Sequence, residues 1–258
     1  MARRRSRKNN KLTLILMVIL IVISVIYTGI NGEDTKYETP AETAQTQHAD
    51  APTTAAAVPE DGYVFSLDEV PEYSGELEYF LNGNVPLFTE EDLTTESFET
   101  YSELDELGRC RVAYACVGED IMPTEERGSI SHVKPTGWVQ NQYDFVNGKS
   151  LYNRCHLIAH QLTGEDANWM NLITGTRTMN EAMIPYENMV ADYVRETGEH
   201  VLYRVTPIFD GDELVARGVQ MEALSVEDNG ESVCFHVFLY NVEPGVVIDY
   251  ATGENWEE

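Results

Sequence analysis

The sequence predicts an α+β fold, an antiparallel β-sheet with a helix before its last three strands, preceded by a transmembrane helix. Three observations carry this reading. An uncharged apolar run fills residues 12–30. Met183, Tyr186, Val190, Tyr193 and Val194 recur at helical spacing. After His200, three strand-like runs are separated by short polar turns.

The apolar run would form a helix of roughly 29 Å at ~1.5 Å per residue, which matches the ~30 Å hydrocarbon core of a bilayer. Residues 1–11 hold six bases, Arg3, Arg4, Arg5, Arg7, Lys8 and Lys11, whereas only Lys36 follows the run closely, beside Glu33 and Asp34. The asymmetry makes 1–11 a cytoplasmic segment and 12–30 a signal anchor, with the rest of the chain outside the cytoplasm. The expected location is therefore the cell membrane, single-pass. A cleaved signal peptide competes with this reading. Its apolar core would normally be ~7–15 residues before a small-x-small site, and Tyr27-Thr28-Gly29-Ile30 is a poor one.

Residues 31–60 are rich in Thr, Ala, Pro and acids and offer little apolar surface to bury. A disordered linker reaching roughly 30 Å is expected there. One globular domain, with a single sizeable core, is expected over 61–253. Its first clear strand is 111–117. In the helix, Pro185 suits the first turn and Gly198 suits the end. The runs 200–209, 214–226 and 232–242 are joined by the turns 210–213 and 227–230, the second carrying the hairpin signal Asn229-Gly230. They read as an antiparallel meander.

All 44 acidic residues follow the apolar run, against eleven of the seventeen bases. That is a poor start for binding phosphates. Seven of those bases nevertheless cluster between Arg109 and Arg177, and a local basic site can act within an acidic shell because charges are screened beyond ~8–10 Å. Four cysteines remain, Cys110, Cys116, Cys155 and Cys234. Cys110 and Cys116 would lie about 20 Å apart along one strand, beyond the ~7 Å that a disulfide spans.

The chemistry-bearing stretch runs from Tyr152-Asn153-Arg154-Cys155-His156 to Asn171 and Asn180. An imidazole can take a proton from water near neutral pH. An arginine two residues away can clamp a phosphate. Asparagine oxygens suit a hard cation such as Mg²⁺, which keeps most of its waters. A base, a cation and a phosphate clamp are what phosphodiester hydrolysis needs.

These residues resemble the DNA/RNA non-specific endonuclease family, the ββα-metal nucleases, in a membrane-anchored bacterial type. The family motif Asp-Arg-Gly-His reads here Asn153-Arg154-Cys155-His156; Asn171 and Asn180 stand nine residues apart, and Glu187 follows seven later. The likeness extends over residues 107–253 and includes Arg127-Gly128-Ser129-Ile130 and Lys134-Pro135-Thr136-Gly137-Trp138. It implies a ββα-metal catalytic core over 61–253 that cuts DNA, and RNA by the family's tolerance, with little sequence specificity. His156 would be the general base and Arg154 would bind or orient phosphate. Asn180 would be the direct ligand of Mg²⁺, for which Mn²⁺ could substitute. Asn171 would support the site by holding waters around the metal or the ligand side chain, and Glu187 would hold such waters. Arg127, Lys134 and Arg177 would contact nucleic acid. Two residues depart from the motif. Asn153 cannot supply a carboxylate behind the histidine, so a carbonyl would have to serve, and Cys155 needs a backbone that accepts a Cβ.

An alternative is a membrane-tethered binding module, a degenerate nuclease that holds nucleic acid or a surface partner without cutting. A zinc-peptidase site is set aside because Leu157 stands where that motif needs Glu. His160 is expected to be a supporting or surface residue, and Trp138 and Trp169 to pack in the core. No protein partner is indicated.

Overall fold

The computed structural model describes residues 65–258. The basic segment, the signal anchor and the linker lie outside the described residues. Among the described residues no helix is long and apolar enough to cross a membrane.

The frame is a six-stranded antiparallel sheet. Its strands are β1 (Glu78–Phe80), β2 (Phe98–Tyr101), β3 (Ala113–Val117), β6 (Val201–Ile208), β7 (Gly218–Ser225) and β8 (Cys234–Tyr240), in the order β1-β8-β7-β6-β3-β2. The expected meander is β6-β7-β8, with Val205 opposite Met221 and Met221 opposite Val237. Asn229 and Gly230 both take positive φ in the last turn, at 56° and 81°, as the Asn-Gly pair requires. The edge strands β1 and β2 have no counterpart in the sequence reading.

Strand alternation gives the sheet two apolar faces. On one, Ala115, Val117, Tyr203, Val205, Met221, Val237 and Leu239 pack against the long helix α2 (Arg177–Thr197), through Met183, Tyr186, Val190 and Val194. On the other, Cys116, Leu202 and Leu224 meet Phe88, while Phe238 and Tyr240 meet Leu81. The stretch before β2 therefore covers the face opposite the helix. It is pinned by Glu222, whose carboxylate accepts from Leu87 N at 2.7 Å and from Arg204 Nε at 2.7 Å.

Two smaller pairs complete the described fold. Strands β4 (Tyr152–His156) and β5 (Leu172–Thr176) pair antiparallel, with His156 opposite Leu172, and β9 (Val246–Ile248) pairs with β10 (Asn255–Glu257). Between β4 and β5 lies the single-turn helix α1 (His160–Thr163). The four cysteines are free, and three are buried.

The long helix begins eight residues earlier than its proline suggests. Thr176 caps it, its Oγ1 accepting from Met179 N at 3.0 Å. Pro185 sits in the middle, on an exposed position, where the carbonyl four residues back that loses its donor can be solvated instead. Gly198 ends the helix in the left-handed conformation (φ 71°), as expected. Trp169 is not in the core: it is 50% exposed. Trp138 is half-buried and stacks on Arg154.

Candidate active site

The antiparallel pair β4-β5 runs directly into α2, and this ββα unit holds the site. Its joint is fastened to the end of the large sheet. Asn241 accepts from Thr176 N at 2.8 Å and donates to the Thr174 and Ala216 carbonyls. Glu243 accepts from Thr178 N and Thr178 Oγ1 at 3.0 and 2.9 Å. A carboxylate at a helix N-terminus also complements the helix dipole. The first turn of α2 is thus fixed before any ligand arrives.

That turn presents Asn180, and Ile184 and Glu187 follow at helical spacing on the same side. Together with His156, Asn153 and Arg154 of β4 they line an open cleft of about 760 Å³, whose other walls include Arg127, Ser129, His160 and Arg177.

His156 ends β4 and is 9% exposed. Its Nε2 lies 3.2 Å from the Asp166 carbonyl oxygen, and Arg127 Nη2 lies 3.0 Å from its Nδ1 and 3.4 Å from its Nε2. A carbonyl only accepts, so Nε2 carries the proton and Nδ1 the lone pair; a guanidinium only donates, which fits the same tautomer. The carbonyl needed in place of the motif's carboxylate is therefore supplied, by Asp166. Burial first, and then the Arg127 charge, lower the His156 pKa to about 4. The ring is neutral at pH 7, with Nδ1 facing the arginine.

Glu187 is the opposite case. Burial pushes its carboxyl up to about 7, and the Arg127 charge opposes the rise. Neither its carboxylate nor the Asn180 amide has a hydrogen-bond partner among the described residues. Unpartnered oxygens on one helix face suit a hard divalent cation that keeps most of its waters. Among the described residues no group of three or more His, Cys, Asp and Glu could hold a metal.

Comparison with known proteins decides the family. The profile of the DNA/RNA non-specific endonucleases matches residues 89–227. The chain belongs to that family. It is a nuclease of the hydrolase class, and the fold agrees. NucA from Streptococcus agalactiae, in a structure with magnesium bound, is 26% identical with a TM-score of 0.63, covering 70% of this chain and 88% of that one. The Sda1 nuclease, in a structure with a bound zinc ion, is 25% identical with a TM-score of 0.61, covering 75% of this chain and all (100%) of that one.

The endonuclease motif residues do not all stand in the cleft. Asn171 is fully buried: its Oδ1 accepts from Ile158 N at 2.8 Å and its Nδ2 donates to Ile158 O at 2.9 Å. It staples the chain leaving β4 through the Ile158 backbone and does not line the cleft. Lys134 is exposed and is not among the cleft residues. Arg154 lines the cleft, but its Nε donates to Val133 O and its Nη2 to Ser131 O at 2.8 Å, while its guanidinium lies 4.3 Å from the Trp138 ring. That leaves Nη1 for phosphate. Arg177 lines the cleft and its Nε is buried without a partner.

Cys155, where the motif has glycine, lies fully buried against Gly175 of β5, and a Cβ on Gly175 would also stand 2.6 Å from Met179 Cε. The space relinquished at position 155 is returned at 175. Residues that the sequence did not single out for the site are Asp166, Asn241 and Glu243. Each acts through backbone groups far from it in the chain, and no local pattern marks such contacts.

Proposed function

We propose that this endonuclease cuts DNA and RNA with little sequence specificity, requires Mg²⁺, and works outside the cytoplasm on an anchor formed by residues 12–30. The observation that carries the catalytic reading is the contact of His156 Nε2 with the Asp166 carbonyl oxygen, which assigns the ring proton to Nε2 and leaves the lone pair on Nδ1, beside Arg127. The location rests on the basic segment ahead of an uncharged span.

In the reaction, a water placed at Nδ1 gives its proton to His156 as its oxygen attacks phosphorus. The new P–O bond forms as the bond to the leaving oxygen breaks in line, and that oxygen takes a proton from solvent. Arg127, standing at Nδ1, must yield this position and is close enough to meet the phosphate instead, where a planar fork stabilises the added charge. Arg177 and the free Nη1 of Arg154 offer further donors to the backbone. Asn180 and Glu187 would hold the cation, directly and through water; when bound it would polarise the phosphate and offset the charge on the leaving oxygen.

The alternative of a binding module that does not cut draws on the changes at 153 and 155. The carbonyl behind His156 and the room at Gly175 offset both changes, which leaves the acidity of the chain after residue 30 as the ground on its side. Incubating the purified full chain with plasmid DNA, and separately with RNA, in Mg²⁺, in chelator, and after Mg²⁺ is restored tests the proposal. Cleavage that stops and returns supports it. An intact plasmid under all three conditions contradicts it.

A further inference from the structure

Asp166 lies ten residues beyond His156, in the loop between α1 and β5, and makes two unlike contacts. Its backbone carbonyl accepts from His156 Nε2 at 3.2 Å. Its side chain reaches the neighbouring loop, where Oδ2 accepts from Gly128 N at 2.8 Å. Gly128 follows Arg127, whose Nη2 stands 3.0 Å from His156 Nδ1. One residue thus touches the base on one nitrogen and holds the root of the arginine that stands on the other.

The approach is close enough to constrain the sequence. A Cβ on Gly128 would lie 2.6 Å from Asp166 Oδ2, so a side chain there would part the carboxylate from the loop, whichever of the two shifts. No other hydrogen bond from the main chain of 124–129 to a side chain is found among the described residues. The remaining oxygen of Asp166, Oδ1, lies 3.1 Å from His160 Nδ1, out of line for a hydrogen bond. His160 therefore borders the carboxylate without competing for Oδ2.

We propose that Asp166 is a positioning residue that sets the stance of Arg127 relative to His156, by anchoring Gly128 with its carboxylate while its carbonyl fixes the base. Among the described residues Arg127 is the one guanidinium in contact with the base, and it sits in a loop that is exposed from 124 to 129. Without the anchor the arm has no fixed origin, and a misplacement of about 1 Å can lower a rate by about 10²-fold. The inference rests on the reading of His156 as the base, and it makes Asp166 act through Arg127 rather than on substrate.

The test compares Asp166→Ala, Asp166→Asn, Gly128→Ala, Arg127→Ala and the double variant Asp166→Ala/Arg127→Ala in the full chain, by plasmid cleavage in Mg²⁺ and by the ¹⁵N resonance of His156 Nδ1 in chelator. Asp166→Ala is expected to lower kcat/KM tenfold or more. Asp166→Asn, whose amide oxygen can still accept from Gly128 N, should stay within about threefold of the parent. Gly128→Ala, which attacks the same contact from its exposed side, should reproduce the loss and stands in if Asp166→Ala does not fold. In the Arg127→Ala background the Asp166→Ala change should add less than twofold. The Nδ1 resonance should move in Asp166→Ala towards its position in Arg127→Ala, because the guanidinium no longer donates to it. Equal losses with and without Arg127, or an Nδ1 resonance unmoved in both Asp166→Ala and Gly128→Ala, would overturn the proposal. If the parent chain does not cut nucleic acid, the nuclease mechanism fails, and the Nδ1 resonances alone still decide the positioning.

Discussion

Arg127 Nη2 stands 3.0 Å from His156 Nδ1, on the one ring nitrogen that is free to accept a proton. The contact keeps the Nδ1 lone pair occupied and adds to what burial already does to keep the ring neutral. Burial is the larger cause of the lowered His156 pKa and Arg127 the second. In Arg127→Ala, titrated by NMR without metal, the His156 pKa should rise from about 4 yet stay below 6.5, because burial persists. A pKa that stays put or falls would show that the guanidinium is not at the ring in solution.

His156 and Glu187 oppose each other in the stability of the metal-free chain. His156 titrates near 4 when folded and 6.5 when unfolded, so its contribution is lost as pH falls through that window. Glu187 titrates near 7 when folded and 4.5 when unfolded, so its contribution is present below 4.5 and lost as pH rises to 7. Between about pH 4.5 and 6.5 the two slopes cancel. Denaturant midpoints measured against pH in chelator should therefore climb more steeply with pH in Glu187→Gln than in the parent, by up to about 1.4 kcal/mol per pH unit. His156→Ala should shift the slope the other way. Parallel curves for all three chains would refute the assignment.

Asn171 is a staple for Ile158, not a site ligand. Asn171→Ala strands a buried N–H and a buried C=O, each worth about 1–3 kcal/mol. Unfolding free energy should fall by roughly 2–5 kcal/mol, and below the transition the Mg²⁺ concentration for half-maximal cleavage should be unchanged. A normal melting curve with an altered metal response would reverse this assignment.

Cys155 and Gly175 exchange volume across the hairpin. Gly175→Ala alone drives a methyl into Cys155 Sγ and Met179 Cε, and overpacking of this kind costs about 1–3 kcal/mol. Combining it with Cys155→Gly should recover part of the loss, as read from a double-mutant cycle of melting temperatures. Additive losses would mean that the two positions do not share the space.

The meander was legible in the sequence because β6, β7 and β8 alternate across a sheet and meet at polar turns. The helix was legible only in its C-terminal half. Its first turns carry Arg177, Thr178 and Asn180, polar residues placed for the cleft and the cap, and they break the apolar period that reveals a helix; Pro185 then imitates a helix start. Strands β4 and β5 were hidden for a related reason. In β4, Asn153 and Arg154 face the cleft, and β5 is buried along its whole length, so neither shows simple alternation. His156, Arg154, Asn180 and Glu187 were legible as residue types at family spacing. What each touches was not: Asn171 turned out to bind backbone, Lys134 to stand outside the cleft, and Asp166 to act through a carbonyl that any residue could offer.

His156 is proposed as the base in an otherwise intact site. The direct measurement is the plasmid cleavage rate of the full chain at saturating Mg²⁺ for the parent and His156→Ala, with thermal melts run alongside. A fall of about 10²–10⁴-fold is expected, with the fold retained. A folded His156→Ala chain that cuts at the parent rate would contradict it.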